Sequence, residues 1–399
     1  MRKMLFTFVT FLAGGFIFGQ DLQKSRKVAD LVTVGSEKVT VCKWSLIKDT
    51  VALPLSYFTG ELEVIKLDNS DKALISTGSS VTVGDRYILT GEVKHQNITF
   101  KLFDRAGKYL TDVGGFGQGP GEYGNIADAV LDERNNRIYI LSWSTQNILE
   151  YDLTGKFIQP VPMPANITKG KIFADPAGQL ISVVAVPITG NKYVAWTQKK
   201  TGEIVAAAEP GHLSINPRDP NGAYSAFNNE IASAKNLPGI IDAYVYSYRP
   251  RADTLYHYEA ASGKLLPRFT VDFPGDIPSH GYSEFPHHYT GYTGEEIRIN
   301  ENSSYIGNYK YFIVEKSSLK GTFFKIIDDY LGNNEIEWPV FQFSNGYYIR
   351  NFEPAELMDK LDGMLSNRNL TDTMKEKLTK LKNSVSENDN NYIFYAKMK

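Results

Sequence analysis

A turn motif that recurs along the chain constrains the fold more than any other feature of the sequence. Each copy joins the end of one apolar run to the start of the next through a polar turn that contains glycine. The copies are FDRAGKY, YDLTGKF, QKKTGEI and YEAASGKL, with glycines at 107, 155, 202 and 263. The gaps between these glycines are 48, 47 and 61 residues. A repeat of about 45 residues that holds four short strands has the length of one β-propeller blade. We therefore predict an all-β propeller, with a weaker fifth copy of the motif at Gly332.

One blade can be divided into its four strands from the alternation of apolar and polar residues. The predicted strands span 127–132, 137–141, 147–152 and 157–161. Because neighbouring strands of a blade run antiparallel, loops between the second and third strands emerge at the same end as the connections between blades. We call this end of the propeller the mouth and the opposite end the base. By this rule residues 114–125 and 142–146 flank the mouth together.

The glycine-rich stretch 114–125, GGFGQGPGEYGN, could form a phosphate-binding loop or a turn. A phosphate-binding loop leads from a strand into a helix, whose N-terminus faces the anion. The segment that follows has the two-residue period of a strand, and the sequence contains no Gly-Lys-Ser or Gly-Lys-Thr there. We therefore predict a turn between two blades, in which several glycines adopt positive φ and Glu122 binds backbone N–H groups. Contact of this turn with a ligand is the alternative.

The two ends of the chain are predicted to complete the last of six blades. Residues 345–352 and 391–399 have the pattern of two strands of this blade, and 61–67 can add its outermost strand. Such mixing of the termini closes the ring and hides the ends of the sheet. Between the two C-terminal strands, apolar residues recur at helical spacing, which predicts a helical insertion over about 354–388 at the mouth. The predicted six-bladed β-propeller, with four-stranded blades, spans residues 59–399.

The N-terminal residues have the pattern of an export signal. A basic start at Arg2 and Lys3 precedes an apolar run that is too short for a stable membrane span. We predict a signal peptide over residues 1–20 and an exported protein, periplasmic or extracellular, without a stable membrane span after cleavage; an uncleaved anchor is the alternative. The sole cysteine, Cys42, is expected to be a packed thiol. Residues 21–58 form an N-terminal extension whose place in the fold the sequence does not give.

The charge of the chain argues against nucleic acid as a partner. The 43 basic and 45 acidic residues give a net charge of −2, with no block of like charge. Binding to phosphate backbones needs a cationic surface instead. Aromatic residues make up 13% of the chain, a composition that suits half-buried strands and flat ligand-binding faces.

Aromatic and arginine side chains are the main candidates for ligand binding at the mouth. Aromatic faces stack on sugar rings or peptide side chains, and Arg binds carboxylates through two parallel hydrogen bonds. The predicted ligand-binding residues are Glu122, Tyr123, Trp143, Arg249, Arg251, Tyr282 and Tyr289. For each tyrosine the alternative is packing between blades, and for each arginine it is a solvated position.

A second candidate site is the histidine-rich segment 274–296, which we expect to be a long loop at the mouth. His280, His287 and His288 could supply nitrogen ligands to zinc or a similar divalent metal, with Glu284 as an oxygen ligand. A solvated aromatic loop without metal is the alternative. No other cofactor is predicted, and the sequence lacks the Gly-x-Ser-x-Gly motif of a serine hydrolase.

The glycine-rich turn and the strands after it resemble known propellers. The segment FGQGPGEYGNIADAVLDERNNRIYILSWSTQNILEYDLTGKF resembles an NHL-type repeat, although Ala127-Asp128 stands where Pro and Gly are usual. With the helical insertion and the terminal NYIFYAKMK, residues 50–399 resemble the exported six-bladed β-propeller proteins of Bacteroidetes. This resemblance implies a fold rather than a function, because most members have no assigned function and propellers serve both as binding platforms and as enzymes.

The sequence leaves three functions open. The first, which we favour, is a binding module whose mouth recognises a glycan, a peptide or a partner protein of the cell envelope. The second is a metal-dependent lyase, lactonase or glycan-processing enzyme that uses residues 274–296. The third is a purely structural component of the cell envelope.

Overall fold

The strands that the structure describes form six blades around a central axis. The structure is a computed structural model and describes residues 9–11, 22, 24–94, 97–216, 229–247, 249–300, 303–367 and 370–399. From blade 2 to blade 5, the first strand of each blade contacts the first strand of the next, so these strands line the axis. The predicted all-β, six-bladed fold with four-stranded blades is confirmed.

Blades 1 to 3 each have four strands in consecutive order. Blade 1 consists of Ser80–Val83, Tyr87–Lys94, Asn97–Asp104 and Tyr109–Val113. Blade 2 consists of Ile126–Asp132, Arg137–Ser142, Thr145–Asp152 and Phe157–Ile167. Blade 3 consists of Gly170–Ala174, Leu180–Ala185, Ala195–Lys199 and Ile204–Ala208. The four strands predicted for blade 2 are confirmed, and the last extends beyond its predicted end.

Blades 4 and 5 carry additional strands from the N-terminal extension. Blade 4 consists of Glu230–Ala232, Asp242–Tyr246, Thr254–Glu259 and Lys264–Asp272. Blade 5 consists of Ser279–Glu284, His288–Asn300, Ser303–Glu315 and Gly321–Asp328, followed by a short strand, Asn334–Glu335.

The N-terminal extension forms a belt on the outer edges of these two blades. Its hairpin, Ala29–Val34 and Glu37–Lys43, joins the outer strand of blade 4 through a parallel pairing. The strand Thr50–Pro54 then pairs in parallel with the outer strand of blade 5. The belt satisfies backbone groups that an exposed edge strand would leave unpaired.

Blade 6 is closed by both ends of the propeller, as predicted. Its strands are, from the axis outward, Phe343–Ser344, Tyr347–Phe352, Tyr392–Lys397 and Leu62–Lys66. The predicted insertion contains two helices, Pro354–Leu365 and Asp372–Lys382, whose buried leucines pack against blades 5 and 6. Short helical turns occur at Trp44–Leu46, Leu55–Phe58, Gly211–Leu213 and Pro339–Gln342.

The four motif glycines all lie in the turn between the third and fourth strands of their blades. Their φ angles are positive, between 72° and 86°, which glycine adopts without steric cost. A Cβ at Gly107 would lie 2.2 Å from the carbonyl oxygen of Lys66, and one at Gly155 would lie 2.0 Å from that of Asp112. In each case the carbonyl belongs to the outer strand of the preceding blade, so the glycine also permits blades to approach closely.

The predicted fifth copy at Gly332 is wrong. Gly332 lies after the outer strand of blade 5, in the connection to blade 6. The corresponding turn of blade 5 places Leu319 in the left-handed region, with a φ of 59°. A leucine in this conformation leaves no glycine signal in the sequence, which explains the error.

The N-terminal residues that the structure describes lie beside blade 6. Val9–Phe11 pairs antiparallel with residues 62–64 at the outer edge of that blade. The rest of segment 1–20 lies outside the described residues, so the signal peptide stays a prediction. Among the described residues, no helix has both the length and the apolar character needed to cross a membrane. Cys42 is buried in a strand, and burial raises its pKa to about 12.

Candidate functional site

A cavity of about 330 Å³ lies at the propeller axis. The first strands of blades 1 to 3 form its walls, together with the turns that follow the first strands of blades 4 and 6. The first strand of blade 2, Ile126–Asp132, is partly buried throughout, and its residues 126–129 line the cavity. The volume falls in the range of about 300–1,000 Å³ that small-molecule ligands occupy.

Three charged side chains meet in this axial cavity. The Oδ2 atom of Asp128 lies 2.6 Å from Nζ of Lys235, and its Oδ1 atom lies 4.0 Å from Nζ of Lys171. All three side chains are largely buried, with exposed fractions of 11%, 15% and 23% in that order. Burial also lowers the pKa of Lys235. When all three groups are ionised, two cations and one carboxylate leave an excess of one positive charge.

Asp128 is further held by the backbone of the next blade. Its Oδ2 atom accepts a hydrogen bond from the N–H of Ile172 at 2.8 Å. Lys171 donates to the carbonyl of Ala127 at 3.3 Å. Of the two lysines, Lys171 is the more exposed and the less closely paired, so it is the better placed to bind an incoming anion.

Lys235 reaches the cavity from the base, on the turn after the first strand of blade 4. Its φ of 53° is left-handed, which costs a non-glycine residue about 1–2 kcal/mol. The buried carboxylate of Asp242 holds the turn by accepting the N–H groups of Ala234 and Lys235 at 3.1 and 3.3 Å. The turn of blade 6 meets it there, where Asn345 donates to the carbonyl of Ala234 at 2.8 Å. Strain of this kind concentrates at functional sites.

The glycine-rich turn and residues 142–146 lie together at the mouth, as predicted. Both segments line a cavity of about 460 Å³. Glu122 accepts the N–H of Gly119 at 2.8 Å and so holds the turn. The ring of Trp143 lies 4.5 Å from Nζ of Lys169, which also pairs with Glu230 at 3.2 Å. Ligand binding by Glu122 and Trp143 stays a prediction.

The three predicted tyrosines are buried, which supports the packing alternative. Tyr123, Tyr282 and Tyr289 are only 1%, 3% and 8% exposed. The hydroxyl of Tyr123 donates to the carbonyl of Val113 at 2.7 Å, and Tyr289 stacks on Phe269 with ring centroids 4.7 Å apart. These rings therefore pack between blades and strands, although Tyr123 also lines the mouth cavity of about 460 Å³. Ligand binding by the three tyrosines stays a prediction.

The two predicted arginines lie on the mouth-side turn of blade 4. Arg249 is exposed there. Arg251 is engaged within the protein, because its Nη2 atom donates to the carbonyl of Leu213 at 2.9 Å and lies 3.3 Å from Oδ2 of Asp253. Arg249 is therefore the more accessible of the two.

The expectation that 274–296 is a long mouth loop is wrong. Its residues 279–284 and 288–296 lie in the first two strands of blade 5. Gly281 and Gly291 are strand residues whose missing side chains leave room for the rings of Tyr292 and Phe312. His280 lies near the mouth end of this hairpin, whereas His287 lies in its turn at the base.

The three histidines occupy different environments. His280 is buried, with Nδ1 2.8 Å from the carbonyl of Pro278. Nε2 of His288 lies 2.8 Å from the hydroxyl of Tyr57, and burial lowers the pKa of His288 to about 4. His287 is exposed.

Glu284, the predicted oxygen ligand, is buried at the base end of the same hairpin. It is paired with His257 and Lys316 at 2.5 and 2.6 Å. Within the part of the chain that the structure describes, no three or more His, Cys, Asp or Glu side chains form a group that could hold a metal ion. The metal site at His280, His287 and His288 stays a prediction.

Sequence reasoning missed the axial lysines. Lys235 and Asp128 are 107 residues apart, and only closure of the ring brings them together. One signal for the axial site was present in the sequence. NHL-type repeats usually have Pro-Gly where this chain has Ala127-Asp128, so a carboxylate occurs on the strand that lines the axis.

A solved structure with the same fold matches the chain at low sequence identity. A "Putative exported protein" from Bacteroides fragilis NCTC 9343 matches with a TM-score of 0.57 and 14% identity, over 90% of this chain and 100% of that one. A member of the DUF4221 family from Bacteroides vulgatus ATCC 8482 matches with a TM-score of 0.40 and 10% identity, over 86% and 97% of the two chains. No curated protein matches the sequence.

The sequence model of one family matches residues 40–397, a range that includes all six blades. The family is described as a domain of unknown function, DUF4934. The match confirms the resemblance predicted from the sequence, and the chain therefore belongs to the DUF4934 family.

Proposed function

We propose that this protein is an exported binding propeller whose axial cavity receives an acidic sugar of a glycan from the mouth. The observation that carries the proposal is the pair of lysines that share one carboxylate at the axis. Lys235 is paired with Asp128 at 2.6 Å, whereas Lys171 lies 4.0 Å from the same carboxyl group. The carboxylate of a ligand would form a closer ion pair with Lys171 than Asp128 does.

The remaining lining of the axial cavity suits a polyhydroxylated ligand. Ser80, Thr82, Ser233 and Ser344 supply hydroxyl groups, and Asn345 supplies a side-chain amide. Hydroxyl and amide groups both donate and accept hydrogen bonds, as sugar hydroxyls require. A charge-assisted hydrogen bond from lysine to the sugar carboxylate would be the strongest single contact.

The proposal selects one of the partner classes predicted from the sequence. A peptide or a partner protein could also present a carboxylate, but the cavity of about 330 Å³ at the axis admits a compact group rather than a surface. The mouth is its access route, because the turns of blades 4 and 6 meet at the base.

Binding of matched acidic and neutral sugars tests the proposal. We expect galacturonic and glucuronic acid to raise the unfolding temperature of residues 21–399 and to bind at least tenfold more tightly than galactose and glucose. A ligand at one hundred times its Kd stabilises a protein by about 2.7 kcal/mol. Lys171→Gln should abolish the difference between acidic and neutral sugars, since it removes the cation but keeps a polar side chain that is only one atom shorter.

Lys199→Gln is the matched control, because Lys199 lies on the same blade and is paired with Glu203 in solvent. It should bind like the wild type. Equal binding of acidic and neutral sugars, or unchanged binding by Lys171→Gln, would contradict the proposal. If short peptides raise the unfolding temperature and acidic sugars do not, the ligand is a peptide and not a glycan.

A further inference from the structure

Blade 5 presents a cluster of aromatic side chains that the axial cavity does not explain. We define the aromatic platform as Tyr292, Tyr309, Trp338 and Phe341. The second and third strands of blade 5 are each 13 residues long. They extend past the first strand, whose mouth end pairs with Gly294. Tyr292 and Tyr309 lie near this mouth end of the first strand, and Trp338 and Phe341 lie on the connection from blade 5 to blade 6, so the platform lies at the mouth.

The rings of the aromatic platform contact one another while two of them remain open to solvent. The centroid of Tyr309 lies 4.8 Å from that of Trp338 and 5.7 Å from that of Tyr292. Phe341 lies 5.0 Å from Tyr292. Trp338 and Phe341 are 49% and 51% exposed. Exposed apolar surface that is contiguous marks a site of interaction more often than scattered residues do.

Trp338 is held in an unfavourable backbone conformation. Its φ and ψ are 54° and 47°, in the left-handed region. It also precedes Pro339, a position that favours extended backbone. Bulky residues rarely adopt this conformation, and residues that do so cluster at functional sites. The strain therefore supports a functional role for the ring of Trp338. Glycine would fit the same backbone without strain.

The size of the aromatic platform indicates a small ligand rather than a protein. A fully covered aromatic side chain buries about 150–250 Å², so two half-exposed rings offer about 200 Å² together. A stable protein interface needs about 800 Å² on each partner. The four platform side chains are also uncharged at neutral pH, and their polar groups are two phenol hydroxyls and one indole N–H.

We infer that the aromatic platform is a stacking subsite for neutral sugar rings. The apolar face of a pyranose would lie on Trp338 and Phe341, while its hydroxyl groups would bond the phenols at the edge. The inference rests on the proposed function in that it assumes a glycan ligand, and it adds a neutral subsite to the acidic one at the axis.

The test uses β-1,4-linked tetrasaccharides of glucose, xylose and galactose as neutral probes, with binding measured by calorimetry. We expect at least one probe to bind the wild type, and Trp338→Gly to weaken that binding at least tenfold. Because glycine relieves the backbone strain, the unfolding temperature of this variant should stay the same or rise. Phe341→Ala serves as a second variant and should weaken binding at least threefold.

Ile158→Ala is the control, since Ile158 is 41% exposed on the outer strand of blade 2, near its base end. It should bind the probes like the wild type. No binding of any probe to the wild type, or unchanged binding by Trp338→Gly and Phe341→Ala, would overturn the inference. Comparison with galacturonic acid distinguishes the two sites. Trp338→Gly should still bind galacturonic acid like the wild type, and Lys171→Gln should still bind the neutral probe like the wild type.

Discussion

The close approach of neighbouring blades at the motif glycines predicts an unusually large effect of adding one methyl group. Gly155 has a φ of 78°, and a Cβ there would lie 2.0 Å from the carbonyl oxygen of Asp112 and 3.0 Å from Oγ1 of Thr111. The first obstacle is backbone of blade 1, which cannot rotate away as a side chain would. Gly155→Ala therefore combines a left-handed alanine, about 1–2 kcal/mol, with overpacking of about 1–3 kcal/mol.

Gly239→Ala isolates the overpacking. Gly239 has a similar φ of 74°, but a Cβ there would have no heavy atom within 4 Å. We expect this variant to lose only about 1–2 kcal/mol of unfolding free energy, and Gly155→Ala to lose about 2–5 kcal/mol in total. Urea denaturation with linear extrapolation measures both values. Equal losses in the two variants would refute the idea that the turn glycine is required for contact between blades.

Two further predictions concern buried ionisable groups. Glu150→Gln should cost about 1–3 kcal/mol of unfolding free energy, because the buried carboxylate lies 2.6 Å from Nζ of Lys200 on the next blade. The control Glu203→Gln removes the charge from an exposed pair and should change the unfolding free energy by less than about 0.5 kcal/mol in the same urea assay. Equal losses in the two variants would contradict a stabilising role for the buried pair of Glu150 and Lys200. Burial lowers the pKa of His288 to about 4, below its unfolded value near 6.5, so its neutral ring stabilises the fold fully above pH 6.5. As the pH falls from 6.5 through 4, the wild type should lose about 3 kcal/mol more than His288→Gln, a variant whose amide can still form a hydrogen bond with Tyr57. Parallel pH profiles would show that His288 is not responsible.

Turn chemistry made most of the architecture predictable from the sequence. Positive φ at Gly107, Gly155, Gly202 and Gly263 is a backbone requirement that few other residues meet, so the spacing of these glycines revealed the repeat. Closure of the last blade could be predicted because apolar and polar residues alternate in 345–352 and 391–399 as in strands. These two strands do not make a four-stranded blade by themselves, so a strand from the N-terminal part was expected to join them. Leu319 shows the limit of this reasoning, since a strained leucine at the corresponding turn looks like any other leucine.

The candidate site was less predictable, because residue type does not determine which side of a strand a side chain occupies. Tyr282 and Tyr289 are of a residue type that is common in binding surfaces, yet both are buried by packing between strands. Trp338, by contrast, is exposed in a connection whose sequence, EIEWPV, has no binding signature. Lys235 enters the axis only through the geometry of the closed ring.

A crystal structure of residues 21–399 with galacturonic acid tests the central claim most directly. We expect the sugar in the axial cavity, with its carboxylate within hydrogen-bonding distance of Nζ of Lys171 and with the pair between Lys235 and Asp128 intact. Density for the sugar elsewhere, or a sugar at the axis whose carboxylate contacts neither lysine, would contradict the claim that the axial cations select the ligand.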